Sequence, residues 1–314
     1  MTAAPAQPMT VPPTKPSPAM RLANALLRRS GVKRALNDAA LTERARRRNS
    51  AAGPAAPPRS VRASCTIRWT TADGLTVAVV APKRTRSATT PFLYLHGGAY
   101  INPIITHHWR LIAALATENA WTVTVPLYTL APDGDATDAL TRLTALHQAL
   151  RRETGVAPAL GGDSAGGGLA LALAQRLRDQ TLPGPRHLAL FSPWLDIGLE
   201  NPDIPPVDRV DPTLAVPGLR YAGLLWANGR DLKDPAVSPL HGDPAGLCPI
   251  TMFIGTHDIF LPDCRELMAK AKASGTDVTL YEFPGAFHVF IAGTVLPESR
   301  IARRLLTERI PAGG

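Results

Sequence analysis

The 314-residue sequence has only three cysteines, few aromatic residues (5%) and no apolar run approaching the length of a membrane span. Cys65, Cys248 and Cys264 are odd in number, far apart and without C-x-x-C spacing, which argues against a disulfide framework and against a structural zinc site. Free thiols, buried or half-buried, are the expectation. A bilayer-crossing helix needs about 18–20 consecutive apolar residues, and none is present. A secretory core is missing too: the longest apolar stretch near the N-terminus, Leu22–Leu27, is interrupted by Asn24 and flanked by arginines. These absences lead to the expectation of a cytoplasmic protein.

Acidic residues are scarce in one segment only. Residues 1–62 hold twelve Lys and Arg against two Asp and Glu. Taking these from the chain's 34 basic and 25 acidic residues leaves 22 and 23 downstream, a net of −1. The formal charge of +9 therefore belongs to the N-terminal segment. A basic balance of this size suggests nucleic acid or an anionic surface. Its confinement to one segment with almost no interleaved aromatics leaves nucleic acid outside the expected partners and makes a membrane surface the lesser reading of that segment.

What remains is globular in composition, 45% hydrophobic and 19% charged. Residues 1–18 are rich in Pro, Ala and Thr and read as a disordered or extended lead. Residues 19–60 read as helices and a linker: one helical pattern from Ala19 to about Leu36, a second over Leu41–Arg48, and a linker over Ala51–Pro58. Ala63–Trp69 and Leu75–Ala81 form a hairpin pattern around Ala72-Asp73-Gly74. Strand patterns at Phe92–Leu95, Thr122–Leu127, Ala157–Leu160, His187–Phe191, Ile250–Ile254 and Val278–Phe283 then alternate with helices at His108–Glu118, Asp135–Arg152, Ala165–Asp179, Pro262–Ala273 and Glu298–Thr307. That alternation defines an α/β fold with a mostly parallel central sheet and helices on both faces. Residues 194–233 interrupt it as an insertion. The core is thus expected in two parts, 61–193 and 234–314.

Gly162-Asp163-Ser164-Ala165-Gly166 contains G-x-S-x-G between a strand and an Ala/Leu-rich helix. A serine on a tight strand-to-helix turn needs neighbours almost free of side chains, and the turn exposes its hydroxyl at a helix N-terminus. The segment lacks the G-K-[ST] ending of a phosphate-binding loop. Ser164 is therefore the expected nucleophile. About 65 residues earlier, His96-Gly97-Gly98-Ala99-Tyr100 follows a strand. Backbone N–H groups in such a turn can approach a developing oxyanion. The expected donors are Gly97, Gly98 and Ala99, with Ala165 after the nucleophile. His96 belongs to that turn and shapes it.

In this architecture the acid and the base follow the nucleophile in the order Ser, Asp or Glu, His. His288, after the last strand, is the only histidine that fits. Asp258, after the strand ending at Ile254, is the expected acid, with Asp263 the lesser alternative as a first-turn helix residue. The catalytic set is then Ser164, Asp258 and His288, acting through an acyl-enzyme.

These motifs resemble the hormone-sensitive-lipase-like carboxylesterases of the α/β-hydrolase fold. Two more segments carry the resemblance: Tyr128-Thr129-Leu130-Ala131-Pro132-Asp133, similar to Y-R-L-A-P-E, and Asp234-Pro235-Ala236-Val237-Ser238-Pro239-Leu240, similar to D-P-x-x-S-P-L. Ala99 stands where a third glycine is commoner, and Thr129 and Asp133 replace Arg and Glu. The resemblance covers about residues 63–310. It implies a helical cap built from the N-terminal helices and the 194–233 insertion, a preference for short or medium acyl esters, and no cofactor or metal. Tyr100, Trp194, Leu195, Tyr221, Leu224, Leu225, Trp226 and His257 are candidates for a substrate wall, and core packing accounts for most of them equally well. Lactones, acetylated alcohols, acyl transfer, peptide cleavage and non-catalytic ligand binding are the alternatives on this fold. A small-molecule ester is the expected partner, and the chain is expected as a monomer or homodimer.

Overall fold

The computed structural model describes residues 9–10, 15–84 and 90–310. Among these the strand patterns resolve into one nine-stranded sheet. The strands are β1 (Met9–Thr10), β2 (Cys65–Ala72), β3 (Leu75–Pro82), β4 (Thr90–Leu95), β5 (Trp121–Leu127), β6 (Ala159–Asp163), β7 (Leu188–Phe191), β8 (Ile250–His257) and β9 (Val278–Phe287). Their order is β1-β9-β8-β7-β6-β4-β5-β3-β2. The β2–β3 and β3–β5 pairs are antiparallel, and all others are parallel. Every residue of β4, β6 and β7 is buried, as a parallel strand covered on both faces requires.

The sheet separates two apolar cores. Leu93 and Leu95 of β4 face one, and Phe92 and Tyr94 face the other, following the period of two. The first core packs α6 (Ala136–Thr154), α7 (Ala165–Asp179) and α10 (Leu261–Ala273). The second packs α5 (Thr106–Asn119) and α11 (Pro297–Arg309), with α4 (Arg59–Ser64) beside α5. Helix α7 is buried almost all round, which its Ala, Gly and Leu composition permits. Chain direction diverges at the β4–β6 pair: β4 leads through α5 to β5 on one side, and β6 leads through α7 to β7 on the other. A crevice opens outside the carboxyl ends of strands at such a switch point.

The N-terminal part departs from the sequence expectations. The single helix over Ala19–Leu36 is two, α1 (Pro18–Ser30) and α2 (Val32–Leu36), because Gly31 adopts φ +77° and closes α1. Helix α3 (Ala39–Ala52) extends past the expected end at Arg48. The proposed linker is pinned: Ala55 donates its N–H to the Ile104 carbonyl (2.9 Å), and Trp109 Nε1 donates to the Ala55 carbonyl (2.6 Å). The boundary at residue 60 falls inside α4, whose Val61 is buried in the second core. Residues 1–18 are not uniformly a disordered lead. Met9–Thr10 pair with Tyr281–Glu282, and Ser17 donates its N–H and hydroxyl to the Glu298 carboxylate (2.7 and 3.1 Å). Residues 1–8 and 11–14 lie outside the described residues.

The insertion carries α8 (Ile204–Asp208) and α9 (Val216–Ala227) and packs against α2 and α3. Lys33 Nζ donates to the carbonyl of Asp208, to its Oδ1 (2.8 Å) and to the Asp211 carbonyl (3.0 Å). Tyr221 donates its hydroxyl to Glu43 Oε2 at 2.8 Å. Cys65 and Cys264 are buried and Cys248 is half-buried, all as free thiols.

Candidate active site

Ser164 stands between β6 and α7 with φ 52° and ψ −122°. A non-glycine residue in that conformation costs roughly 1–3 kcal/mol, which the surrounding packing must hold. Its neighbours show why they are glycine. A Cβ on Gly166 would lie 2.0 Å from the Leu95 carbonyl oxygen, and one on Gly162 would lie 2.3 Å from the same atom. Leu95 and Gly162 are register partners, so the elbow and the end of β4 share one narrow space.

Three strand ends converge on Ser164. Its Oγ lies 2.9 Å from His288 Nε2, and His288 Nδ1 lies 2.9 Å from Asp258 Oδ2. A carboxylate only accepts, so Nδ1 carries the proton and Nε2 is left to accept from the serine hydroxyl. Asp258 follows β8 directly and is fully buried, and its Oδ1 accepts the Phe260 N–H at 3.1 Å. His288 follows β9. The next residue, Val289, is left-handed (φ 51°) and donates its N–H to Ser192 Oγ at 3.0 Å. Phe260 packs its ring edge-on to the imidazole at 5.2 Å.

Burial is the largest influence on His288 and favours the neutral ring. The charge and hydrogen bond of Asp258, with smaller contributions from Asp211 and Asp163, outweigh it and raise the imidazole above its ordinary 6.5.

The glycine turn corrects one expectation. Gly97 donates its N–H to Asp163 Oδ1 at 3.0 Å, so it is not free to serve an oxyanion. Its missing side chain permits the approach, since a Cβ there would lie 2.3 Å from Asp163 Oδ2. Among the described residues, the N–H groups of Gly98, Ala99 and Ala165 have no protein acceptor. Gly98 (φ 124°) and Ala99 (φ 53°) are both at positive φ. Asp163 is fastened further by the Tyr94 hydroxyl (2.5 Å) and by His108 Nε2 (3.2 Å). Burial pushes this carboxyl up, but His108, Tyr94 and Gly97 together bring it down to about 2.

Among the described residues His96 makes no hydrogen bond to Ser164. Its Nδ1 lies 2.7 Å from the Gly97 carbonyl, and burial, the main cause, lowers it to about 4. Tyr128 stacks on the His96 ring at 4.7 Å and donates its hydroxyl to the His96 carbonyl at 2.7 Å. Ala131 donates its N–H to the Tyr100 carbonyl. The Tyr128–Asp133 segment therefore braces the glycine turn.

The expected substrate wall divides. Tyr100 and Trp194 are 1% and 0% exposed, and Tyr100 stacks on Trp226 (4.2 Å) and Trp194 (5.6 Å). These rings, with buried Leu195, are core and present no surface to a substrate. Tyr221 is half-buried and tied to Glu43, Leu225 is half-buried, and Leu224 is exposed. His257 is half-buried beside Asp258 and makes no bond to the three central residues, and its Nδ1 has no hydrogen-bond partner among the described residues. Asp263 sits in the first turn of α10, where Oδ1 accepts from Asn201 Nδ2 at 3.0 Å.

Two supporting residues carried no sequence signal. Asp211, from the insertion, is buried and accepts the Ile259 N–H through Oδ2 (3.1 Å) and the Thr213 and Leu214 N–H groups through Oδ1. Ser192, at the end of β7, holds the histidine loop. Neither lies in a motif.

A serine elbow, a glycine turn and a histidine–carboxylate pair at the switch point of this sheet define an α/β hydrolase. A family model described as alpha/beta hydrolase fold matches residues 92–292. An acetyl-hydrolase of Streptomyces hygroscopicus is 34% identical over 242 residues, covering 76% of this chain and 77% of its own. Among solved structures, the esterase EstE5, in a crystal soaked with p-nitrophenyl butyrate, superposes with TM-score 0.82 at 27% identity over 93% of this chain and 97% of its own. A hormone-sensitive lipase from a metagenome library superposes with TM-score 0.79 at 25% identity, covering 94% and 98%. The chain belongs to the hormone-sensitive-lipase-like family of the α/β-hydrolase fold and is a carboxylic ester hydrolase.

Proposed function

We propose that the protein is a serine carboxylesterase that hydrolyses short- to medium-chain esters through an acyl-enzyme on Ser164. The observation that carries this reading is the Asp258–His288–Ser164 relay, with both links at 2.9 Å. His288 Nε2 takes the hydroxyl proton as Ser164 Oγ bonds to the ester carbonyl carbon. The carbonyl oxygen becomes an oxyanion facing the N–H groups of Gly98, Ala99 and Ala165. Asp258 keeps the Nδ1–H tautomer and stabilises the imidazolium. Collapse breaks the carbon–alkoxide bond, and Nε2–H protonates the departing alcohol. Water, deprotonated by the same nitrogen, then releases the carboxylic acid and restores the serine.

Two features support a short acyl preference. Tyr100, next to the glycine turn, and Trp194, against Gly168 of α7, are closed to solvent, so no deep apolar channel runs between them. The acetyl-hydrolase relative and the butyrate-soaked neighbour point the same way. Residues 19–60 and 194–233 act as a cap over the site, a reading supported by their joint anchoring through Lys33, Tyr221 and Glu43.

The test is a panel of p-nitrophenyl esters from C2 to beyond C10 with the purified protein and its Ser164→Ala variant. Turnover should peak at the short end and vanish in the variant. A peak at the longest chains, or full activity of the variant, overturns the reading.

A further inference from the structure

We propose that the outer face of α1–α3 docks on an anionic lipid bilayer. The excess charge is not spent inside the fold. Arg46 and Arg47 pair with Glu43, Lys33 pairs with Asp208, and Arg28 bonds the Val210 carbonyl. Arg21, Arg29, Arg34, Arg44 and Arg48 are exposed, and their guanidinium groups have no acceptor among the described residues. Three of them converge. Arg34, Arg44 and Arg48 line one groove of about 380 Å³ with Gly31, Ala35, Leu41 and Ala45, and no carboxylate lines it. Three like charges around an apolar floor repel one another unless an anion lies between them.

The same helices expose apolar side chains. Leu22 and Leu26, one turn apart on α1, are 61% and 59% exposed, and Val32 and Leu41 are 46% and 40%. The opposite face of α1 is fastened to the body: Met20 is buried, and Asn24 Nδ2 donates to the Gly285 carbonyl at 2.9 Å. Arg29 follows Leu26 by three residues on α1 and Leu41 lines the arginine groove, so free arginines adjoin exposed apolar side chains on these helices, as an interfacial segment presents them to lipid headgroups and the acyl boundary. A free phosphate would use the arginines and leave the leucines idle. Single-stranded nucleic acid would call for aromatic platforms, which residues 18–52 do not contain, and a duplex would, like free phosphate, leave the leucines idle.

The experiment is vesicle co-sedimentation of the full chain. Phosphatidylcholine vesicles with about 30% phosphatidylglycerol are compared with phosphatidylcholine alone, in about 0.05 M and about 0.5 M salt. Binding to the anionic vesicles should exceed that to the neutral ones at least tenfold, and high salt should weaken it. Arg34→Gln/Arg44→Gln/Arg48→Gln and, separately, Leu22→Ser/Leu26→Ser should each lose most of that binding while keeping the parent's melting temperature. Equal binding to both vesicle types overturns the proposal, as does unaltered binding of either variant. So does a short DNA duplex that abolishes vesicle binding while the leucine variant binds like the parent.

Discussion

The carboxylate of Asp211 accepts the backbone N–H of Ile259 at 3.1 Å and so holds the residue that follows Asp258. The two partners are 48 positions apart in sequence, one in the insertion and one on the catalytic face of the sheet. The insertion is thereby an extension of the acid loop. Because Lys33 bonds the Asp211 carbonyl, the N-terminal helices join the same frame.

Asp211→Ala should therefore lower kcat by up to about 10²-fold with little change in KM, since small misplacement of a reacting group is costly. Asp211 also contributes to raising His288. Removing its charge moves the acid limb of the pH profile to lower pH. A variant with lowered kcat and an unmoved limb would assign Asp211 to folding alone.

On the proposed mechanism the neutral imidazole is the base, so activity should fall as pH drops through the His288 value, which lies above 6.5. A profile of kcat/KM should show one acid limb at that position. Asp258→Asn should reduce kcat by about 10⁴-fold through the wrong tautomer. His257→Ala should retain activity, because His257 makes no bond within the relay.

In the glycine turn, Gly97→Ala should be more damaging than Ala99→Gly. The new Cβ on residue 97 meets Asp163 Oδ2 at 2.3 Å and disturbs the turn that aims the free N–H groups. Loss of one such donor costs about 10²–10³ in kcat. Ala99 already sits at φ 53°, a conformation glycine adopts without strain, so Ala99→Gly should leave kcat within a few-fold. Steady-state kinetics on p-nitrophenyl acetate ranks the two.

The relay was legible because steric and order rules act on short spans. A serine elbow needs glycine on both sides, and only His288 follows the acid strand in the right position. What escaped depends on long-range approach. Whether Gly97 or Gly98 keeps a free N–H is decided by Asp163, 66 positions away. Trp194 and Tyr100 have the composition of a pocket wall, and only their mutual stacking shows them to be core. Met9–Thr10 join the sheet by backbone pairing with β9, which leaves no periodic pattern in a two-residue strand.

That pairing changes what truncation should do. Removing residues 1–18 deletes β1, the Ser17–Glu298 bonds and the Ser17 cap on the Met20 N–H. A lost cap alone costs about 1 kcal/mol. Melting should occur several degrees lower, while kcat at 25 °C stays close to that of the full chain, because none of these contacts reaches the relay. Calorimetry beside an ester assay separates the two effects. An unchanged melting temperature would show that the contacts contribute nothing net.

Asp263 gives a pH signature of stability rather than activity. It is fully buried, and Oδ2 has no partner among the described residues. Burial, with the charge of Asp196 adding to it, raises the carboxyl to about 7 against the opposing bond from Asn201. The folded chain therefore keeps a proton that the unfolded chain releases above about 4. Stability from this group declines as pH rises from about 4 to about 7 and is level beyond, by an amount on the order of a few kcal/mol. Asp263→Asn removes the titration. Comparing the two chains isolates the contribution of the ionisation. Urea midpoints between pH 5 and 8 should fall less in the variant than in the parent, and parallel curves would show that Asp263 ionises at an ordinary pH.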